Sequence, residues 1–160
     1  MPELKNNGVH LYYEDSGSGL PLLLSHSWFC NGQQWPQVPD LVAAGYRVLN
    51  LDNRGHSRSG PYAEPYSLWE MSEDLIAVLD RAEVDSAVLV GLSVGGFCSI
   101  RAALRHPDRV RGLVLADSDA GTAALSGKVK ATLLAPVART RWGKPIAVSA
   151  RRKSWFCSKQ

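Results

Sequence analysis

The sequence predicts an α/β protein with a doubly wound, mostly parallel sheet. Short apolar runs alternate along the chain with segments whose apolar residues recur at helical spacing, the order typical of such sheets. Several apolar runs are nearly continuous, as in strands that are covered on both faces. With 160 residues and 45% hydrophobic content, the chain is long enough to bury one substantial core.

The first predicted strands form an antiparallel hairpin. Val9 to Glu14 has the composition of a strand, and Asn6-Asn7-Gly8 before it is a turn signal that pairs it with the residues preceding the turn. Gly17-Ser18-Gly19 then interrupts the chain. Leu22-Leu23-Leu24 follows and predicts a buried strand.

Two helices and one strand are predicted in the middle of the chain. Trp35 to Ala44 predicts a helix that ends at Gly45, and Tyr46 to Leu51 predicts another buried strand. Ser67 and Glu70 have the spacing of a capping box, so a helix begins after Ser67. The apolar face of that helix comprises Leu68, Met71, Leu75, Leu79 and Ala82.

The last predicted elements surround a serine motif. Residues 87 to 90 form a short apolar strand that runs into Gly91-Leu92-Ser93-Val94-Gly95 and then into a helix lasting until Pro107. Val110 to Ala116 predicts one more strand.

The G-x-S-x-G pattern between a strand and a helix is typical of a nucleophile elbow. Such a turn strains the backbone of the serine, and Gly91 and Gly95 let the strand and the helix approach closely. The turn exposes the hydroxyl of Ser93, and the amide of Val94 points to where an oxyanion would form. A chance match in a glycine-rich turn is the alternative. The strand before the motif and the helix after it argue against chance.

Other classes of function lack their motifs. No metal-ligand spacing, Walker pattern or G-x-G-x-x-G after a strand occurs, so we expect no cofactor. The chain has no apolar run of about 18 residues and no apolar segment near its start, so we expect neither a membrane span nor a secretion signal. Cys30, Cys98 and Cys157 are far apart and odd in number, which favours free thiols and a cytoplasmic location.

The charge distribution changes near residue 120. All 15 acidic residues precede it, whereas residues 120 to 160 contain nine basic residues and no acidic one. A basic arm for nucleic acid or an anionic membrane is one interpretation, and a solvated surface is the ordinary one. Residues 143 to 160 have no sustained period, so we interpret them as an irregular basic tail that resembles a frame-shifted or truncated end. We therefore expect no nucleic-acid or membrane partner.

Four stretches of the chain, in their order and spacing, resemble the α/β-hydrolase fold family. The resemblance covers roughly residues 3 to 119, and the form of the serine motif is similar to the 3-oxoadipate enol-lactonase and esterase branch. It implies an α/β-hydrolase fold truncated after about the sixth strand, with residues 1 to 119 as the N-terminal part of the core and residues 120 to 142 as the first lid helices. The four stretches are Leu24 to Trp28, Leu51 to Ser59, Val90 to Gly96 and His106 to Leu115.

The resemblance implies a serine hydrolase that acts on a small-molecule ester or lactone through an acyl-enzyme. It assigns Ser93 as the nucleophile, with the amides of Val94 and Trp28 as oxyanion donors. His26-Ser27 stands where the family usually has His-Gly. The serine also argues against the dehalogenase and epoxide hydrolase branches, which use aspartate at the elbow.

The resemblance places the catalytic acid and histidine downstream of the elbow. Asp117 and Asp119 follow the sixth strand, where some members carry the acid, and helix capping or loop solvation is the alternative for both. None of the four histidines lies where the base is expected, so we expect weak or no activity from this chain. The alternative function is a non-catalytic binding module that keeps the hydrolase pocket. The histidines placed in structural positions are His10, His26, His56 and His106.

Overall fold

The computed structural model describes residues 4–60 and 64–118, which all belong to the unit Met1–Asp119. These residues form one six-stranded sheet with three α-helices. The predicted lid segment, the predicted tail and Asp119 lie outside the described residues. In chain order the elements are β1 (Leu4–Asn6), β2 (Val9–Gly17), β3 (Leu20–Ser25), α1 (Val38–Ala43), β4 (Tyr46–Asp52), α2 (Leu68–Arg81), β5 (Ala87–Leu92), α3 (Val94–Arg105) and β6 (Val110–Ala116).

The order of strands across the sheet is β1-β2-β4-β3-β5-β6. The pairs β1–β2 and β2–β4 are antiparallel, and the other three pairs are parallel. The predicted doubly wound, mostly parallel sheet is therefore confirmed. Because the chain leaves β3 toward β4 on one side and returns to β5 on the other, the order reverses at β3. In open α/β sheets, ligands bind at the carboxyl ends of strands at such a reversal.

Side chains of β3 alternate between the two faces of the sheet. Leu23 belongs to the larger core cluster, which includes residues of α2 and α3. Leu22 and Leu24 belong to a second cluster, packed against residues of α1. The leucines of this run are therefore buried on both faces, as their continuous apolar sequence predicts.

The predicted hairpin is present between β1 and β2. Leu4 pairs with Leu11 and Asn6 pairs with Val9 in antiparallel register. Asn7 and Gly8 have φ values of 47° and 79°, as a two-residue turn with left-handed backbone requires.

Helix α1 is shorter than the predicted helix from Trp35 to Ala44. It begins at Val38, and Trp35 has φ −108° and ψ 72°, outside the helical region. Trp35 precedes Pro36, and the proline ring disfavours helical backbone in the residue before it. The helix ends as predicted, because Gly45 has φ 86°, a left-handed conformation that glycine adopts freely.

Helix α2 begins with the predicted capping box. The Ser67 hydroxyl accepts a hydrogen bond from the Glu70 amide at 3.3 Å, and the Glu70 carboxylate accepts one from the Ser67 amide at 2.8 Å. Of the predicted apolar face, Leu68 is partly buried against the core and the other members are fully buried, namely Met71, Leu75, Leu79 and Ala82.

Strand β6 forms one edge of the described sheet and leaves apolar side chains exposed. Leu113, Val114 and Leu115 are 38%, 52% and 37% exposed. Apolar edge strands of this kind favour association between chains. No described helix is long and apolar enough to cross a membrane.

We predict that Ser67→Ala lowers the free energy of unfolding by about 1 kcal/mol, because the change removes the hydroxyl that caps the Glu70 amide. Urea denaturation followed by circular dichroism measures this loss. Ser18→Ala, at an exposed position between β2 and β3, is the matched control and changes the free energy by less than about 0.5 kcal/mol. Equal effects of the two substitutions would contradict a role for the cap.

Candidate active site

Ser93 lies at the abrupt turn between β5 and α3. Its backbone has φ 53° and ψ −113°, a conformation that costs a residue with a side chain about 1–3 kcal/mol. The Ser93 amide donates to the Ala116 carbonyl at 2.9 Å. The Ser93 carbonyl accepts hydrogen bonds from the Phe97 amide at 3.1 Å and from the Ser118 hydroxyl at 2.9 Å. Contacts on both sides of the residue therefore hold this strained turn.

The two glycines of the motif are required by space rather than by positive φ. A Cβ on Gly95 would collide with the carbonyl oxygen of Ser25, at the end of β3. A Cβ on Gly91 would collide with the backbone of Gly95 and Gly96. Backbone atoms are the obstacle in both cases, so a side-chain rotation cannot relieve either collision.

The loop that follows β3 begins beside the turn at Ser93. Ser25 is the register partner of Gly91 in the parallel pair of β3 and β5. The close approach of Gly95 to the Ser25 carbonyl brings the start of α3 to the same point. Trp28 follows three residues later and is 46% exposed. The sheet therefore brings the Ser93 turn and this loop, residues 26–31, to the edge where β3 and β5 end.

Among the residues described, the backbone amides of Trp28 and Val94 have no hydrogen-bond partner. In the loop, the amides on either side of Trp28 are occupied: Ser27 donates to Gln34 Oε1 at 2.7 Å and Phe29 donates to His56 Nε2 at 3.4 Å. Val94 is the first residue of α3, where an amide has no acceptor within its own helix. The amides of Trp28 and Val94 are the predicted oxyanion donors, and this role stays a prediction.

Ser27 is held within the loop by its own side chain. Its hydroxyl donates to Cys30 Sγ and accepts from Gln34 Nε2, both at 3.2 Å. The serine therefore links the loop to the 3-10 turn Gly32–Gln34 that follows it.

His26 is fully buried and joins the loop to the segment after β4. Its Nε2 accepts a hydrogen bond from the Asn53 amide at 2.9 Å, and its Nδ1 lies 2.8 Å from the Ser27 carbonyl, to which it donates. Asn53 returns a bond from its side-chain amide to the His26 carbonyl at 2.8 Å. Burial lowers the pKa of His26 to about 4, so the ring is neutral near pH 7 and serves as a structural bridge.

The other three histidines form hydrogen bonds with groups other than Ser93. Nδ1 of His56 lies 3.0 Å from the Arg54 carbonyl, and Nε2 of His106 lies 3.0 Å from the carboxylate of Glu73. His10 is in β2, where its carbonyl accepts from the Gly60 amide. Among the described residues, no histidine is hydrogen-bonded to Ser93.

Two charged pairs hold the segment that contains Asn53, and sequence reasoning assigned them no role. Buried Asp52 accepts hydrogen bonds from the Gly32 amide at 2.7 Å and from Arg58 Nε at 2.8 Å. These bonds favour the charged carboxylate against burial and keep the pKa of Asp52 below its ordinary value. Arg54 and Asp74 form a buried ion pair, with Nη2 of the arginine 2.6 Å from the carboxylate. Arg54 and Arg58, which both follow β4 in the sequence, were the available signal.

Asp117 follows β6 at an exposed position with φ 49°. It has no described hydrogen bond to a histidine, so its role as the catalytic acid stays a prediction, as does that of Asp119. Within residues 4–60 and 64–118, no group of three or more His, Cys, Asp or Glu side chains is arranged to hold a metal ion.

A sequence profile of the alpha/beta hydrolase fold matches residues 20–140. The chain therefore belongs to the alpha/beta hydrolase fold family. RutD of Azorhizobium caulinodans, named as a candidate carbamate hydrolase, is 36% identical over 115 residues, which are 72% of this chain and 43% of RutD. Other similar curated proteins are named as epoxide hydrolases and non-heme haloperoxidases. The chain spans less than half the length of these relatives.

Two solved structures support the same membership. Est816, described as an N-acyl homoserine lactone degrading enzyme, is 39% identical with a TM-score of 0.67, over 71% of this chain and 44% of Est816. A thermophilic esterase from Thermogutta terrifontis is 27% identical with a TM-score of 0.83, over 95% of this chain and 58% of the esterase.

We predict that Gly95→Ala lowers the free energy of unfolding by at least about 3 kcal/mol, because the added Cβ meets a backbone carbonyl. Gly112→Ala in β6 is the matched control: its Cβ would lie 3.9 Å from the nearest atom, Val88 Cγ2, and its effect stays below about 1 kcal/mol. Thermal and urea unfolding of both variants measure the difference. A Gly95→Ala variant as stable as Gly112→Ala would contradict the close approach.

We predict that the free energy of unfolding falls as pH is lowered from about 6.5 toward 4, because the pKa of His26 is lower in the folded chain than in the unfolded one. The pKa is near 6.5 in the unfolded chain and about 4 in the folded one, so the unfolded state binds more protons in this window. A stabilisation of up to about 3 kcal/mol is therefore complete above pH 6.5 and is lost as pH falls. Urea titrations across this range measure it. His26→Gln removes the titrating group, so its free energy of unfolding depends less steeply on pH than that of the original chain. Parallel pH curves for the two proteins would contradict the prediction.

Proposed function

We propose that this chain carries the serine nucleophile and the oxyanion-binding amides of a hydrolase acting on an ester or lactone carbonyl. The observation that carries the proposal is the strained backbone of Ser93 at the start of α3, beside the loop that follows β3. Native structures keep such strain where the surroundings over-determine it, most often at functional sites.

In the proposed reaction the Ser93 hydroxyl oxygen attacks the carbonyl carbon of the substrate. The carbonyl oxygen becomes an oxyanion, to which the amides of Val94 and Trp28 donate hydrogen bonds. The bond to the leaving alkoxide then breaks, the alkoxide takes the proton released by Ser93, and water later hydrolyses the acyl-enzyme. Each oxyanion donor typically lowers the barrier by roughly 3 kcal/mol.

The substrate class rests on the identity of the residue at the elbow. The relatives carry names that cover carbamates, epoxides, esters and lactones. The family resemblance associates aspartate at the elbow with epoxide opening and serine with acyl transfer, so Ser93 favours an acyl substrate. Trp28 and Phe29, both nearly half exposed, provide apolar surface beside the proposed oxyanion site.

The proposed activity of this chain is low because no described contact activates Ser93. All four histidines of the chain are described, and none is hydrogen-bonded to the serine. Removing the histidine of a comparable triad costs a factor of about 10⁶ in rate. Asp117 and Asp119 are the candidates for the acid, and Asp117 has no histidine partner among the described residues.

We predict that a fluorophosphonate forms a covalent adduct with Ser93, slowly in buffer and faster when free imidazole is added as a base. Intact mass and peptide mapping measure the rate and the site. Ser93→Ala removes the adduct, whereas Ser99→Ala, which removes a buried hydroxyl in α3 six residues further along the chain, leaves it in place.

If the probe labels Ser93 neither in buffer alone nor with added imidazole, although the sample unfolds cooperatively, the result would contradict the enzyme proposal. That result would favour the binding module, for which the hydroxyl at residue 93 has no chemical task. Retained binding of ester analogues by Ser93→Ala would then define the pocket.

A further inference from the structure

The end of β6 contacts Ser93 on both sides of its strained backbone. The Ser93 amide donates to the carbonyl of Ala116, and the Ser93 carbonyl accepts a hydrogen bond from the hydroxyl of Ser118, both at 2.9 Å. The same Ser118 hydroxyl lies 2.9 Å from the Ala116 carbonyl, so one hydroxyl is within hydrogen-bond distance of both carbonyls. The last residue of β6, Ala116, and the second residue after it, Ser118, thus contact Ser93, which directly follows β5.

The glycine at position 96 makes room for Ser118. A Cβ on Gly96 would collide with Ser118 Oγ and would lie 2.6 Å from Ser118 Cβ. Gly91 and Gly95 allow the strand and the helix to approach, whereas Gly96 allows a side chain from a third element to reach the turn. Gly96, the residue directly after the motif, therefore provides the space that Ser118 occupies.

Helix α3 does not hold its first turn in the usual way. The residue that precedes a helix normally caps it by accepting a hydrogen bond with its side chain, and Ser93 makes no such bond. Within α3, the Phe97 amide is the group that contacts the Ser93 carbonyl. A strained residue persists only where its surroundings over-determine it, so contacts from outside the helix must contribute.

We propose that Ser118 is a positioning residue that holds the backbone of Ser93 in the conformation that exposes its hydroxyl. Its hydrogen bond to the Ser93 carbonyl restrains ψ of the strained residue, and the Ala116 carbonyl restrains the amide on the other side. Only the expected effect of this contact on the reactivity of Ser93 rests on the proposed function. The restraint on the backbone is independent of it.

Amide hydrogen exchange measures the restraint without requiring catalysis. We expect Ser118→Ala to raise the exchange rates of Ser93 and Phe97 about fivefold, the effect of losing one hydrogen bond, relative to amides of β4 in the same sample. Ser118→Thr keeps a hydroxyl and restores exchange close to that of the original chain. Ser72→Ala is the matched control, because its hydroxyl also donates to a backbone carbonyl, that of Trp69 in α2.

A second variant disturbs the contact between Ser118 and Ser93 through Gly96. Gly96→Ala displaces the Ser118 side chain without deleting it, and we expect it to raise exchange at Ser93 as Ser118→Ala does. Unchanged exchange at Ser93 in Ser118→Ala would overturn the proposal. A rise of the same size in β4 as at Ser93 would also overturn it, because it would mean a loss of overall stability.

Labelling by fluorophosphonate distinguishes a failure of the positioning role of Ser118 from a failure of the proposed hydrolase function. We expect Ser118→Ala to lower the maximal labelling rate at Ser93 about fivefold with little change in the probe concentration at half-maximal rate. Ser72→Ala leaves both values unchanged. If the original chain does not label at all, the proposed function fails, and exchange at Ser93 alone still decides the role of Ser118.

Discussion

The start of α3 lies so close to the carboxyl end of β3 that residue 95 has no room for a side chain. This approach is possible because β3 and β5 are adjacent parallel strands in which Ser25 is level with Gly91. It forces the chain between β5 and α3 through one strained residue, Ser93. The positions of the proposed nucleophile, of the Val94 amide at the start of α3 and of the adjacent loop all follow from this contact.

The loop beside the elbow depends on a neutral buried histidine rather than on a charged one. His26 exchanges hydrogen bonds with Asn53, and the surrounding segment is held in turn by Asp52 and Arg58. Arg54 extends this arrangement to Asp74 in α2, where Asn6 of β1 also donates to the carboxylate. The polar groups beneath the site are therefore linked through several elements. In such a network, removal of one partner leaves another buried and unpaired.

Much of the fold was predictable because its signals are local. The hairpin turn at Asn7-Gly8 and the capping box at Ser67 depend on residues close in sequence, and both are present. The start of α1 was wrong by three residues because the effect of Pro36 on Trp35 outweighed the apolar pattern. In the site, the glycines of the motif signalled the close approach. The contacts of Asn53 and Ser118 join segments far apart in sequence and left no pattern to detect.

The sequence by itself determined the class of fold, the order of its elements and the place of the strained serine, because periodicity, turn residues and the glycine motif act over a few neighbours. Only the tertiary structure decided which groups surround that serine. The pairing of β3 with β5 brings Ser25 to Gly95, and the end of β6 brings Ser118 to the backbone of Ser93. Strand order sets these distances, and a linear pattern of residues does not contain the register of distant strands.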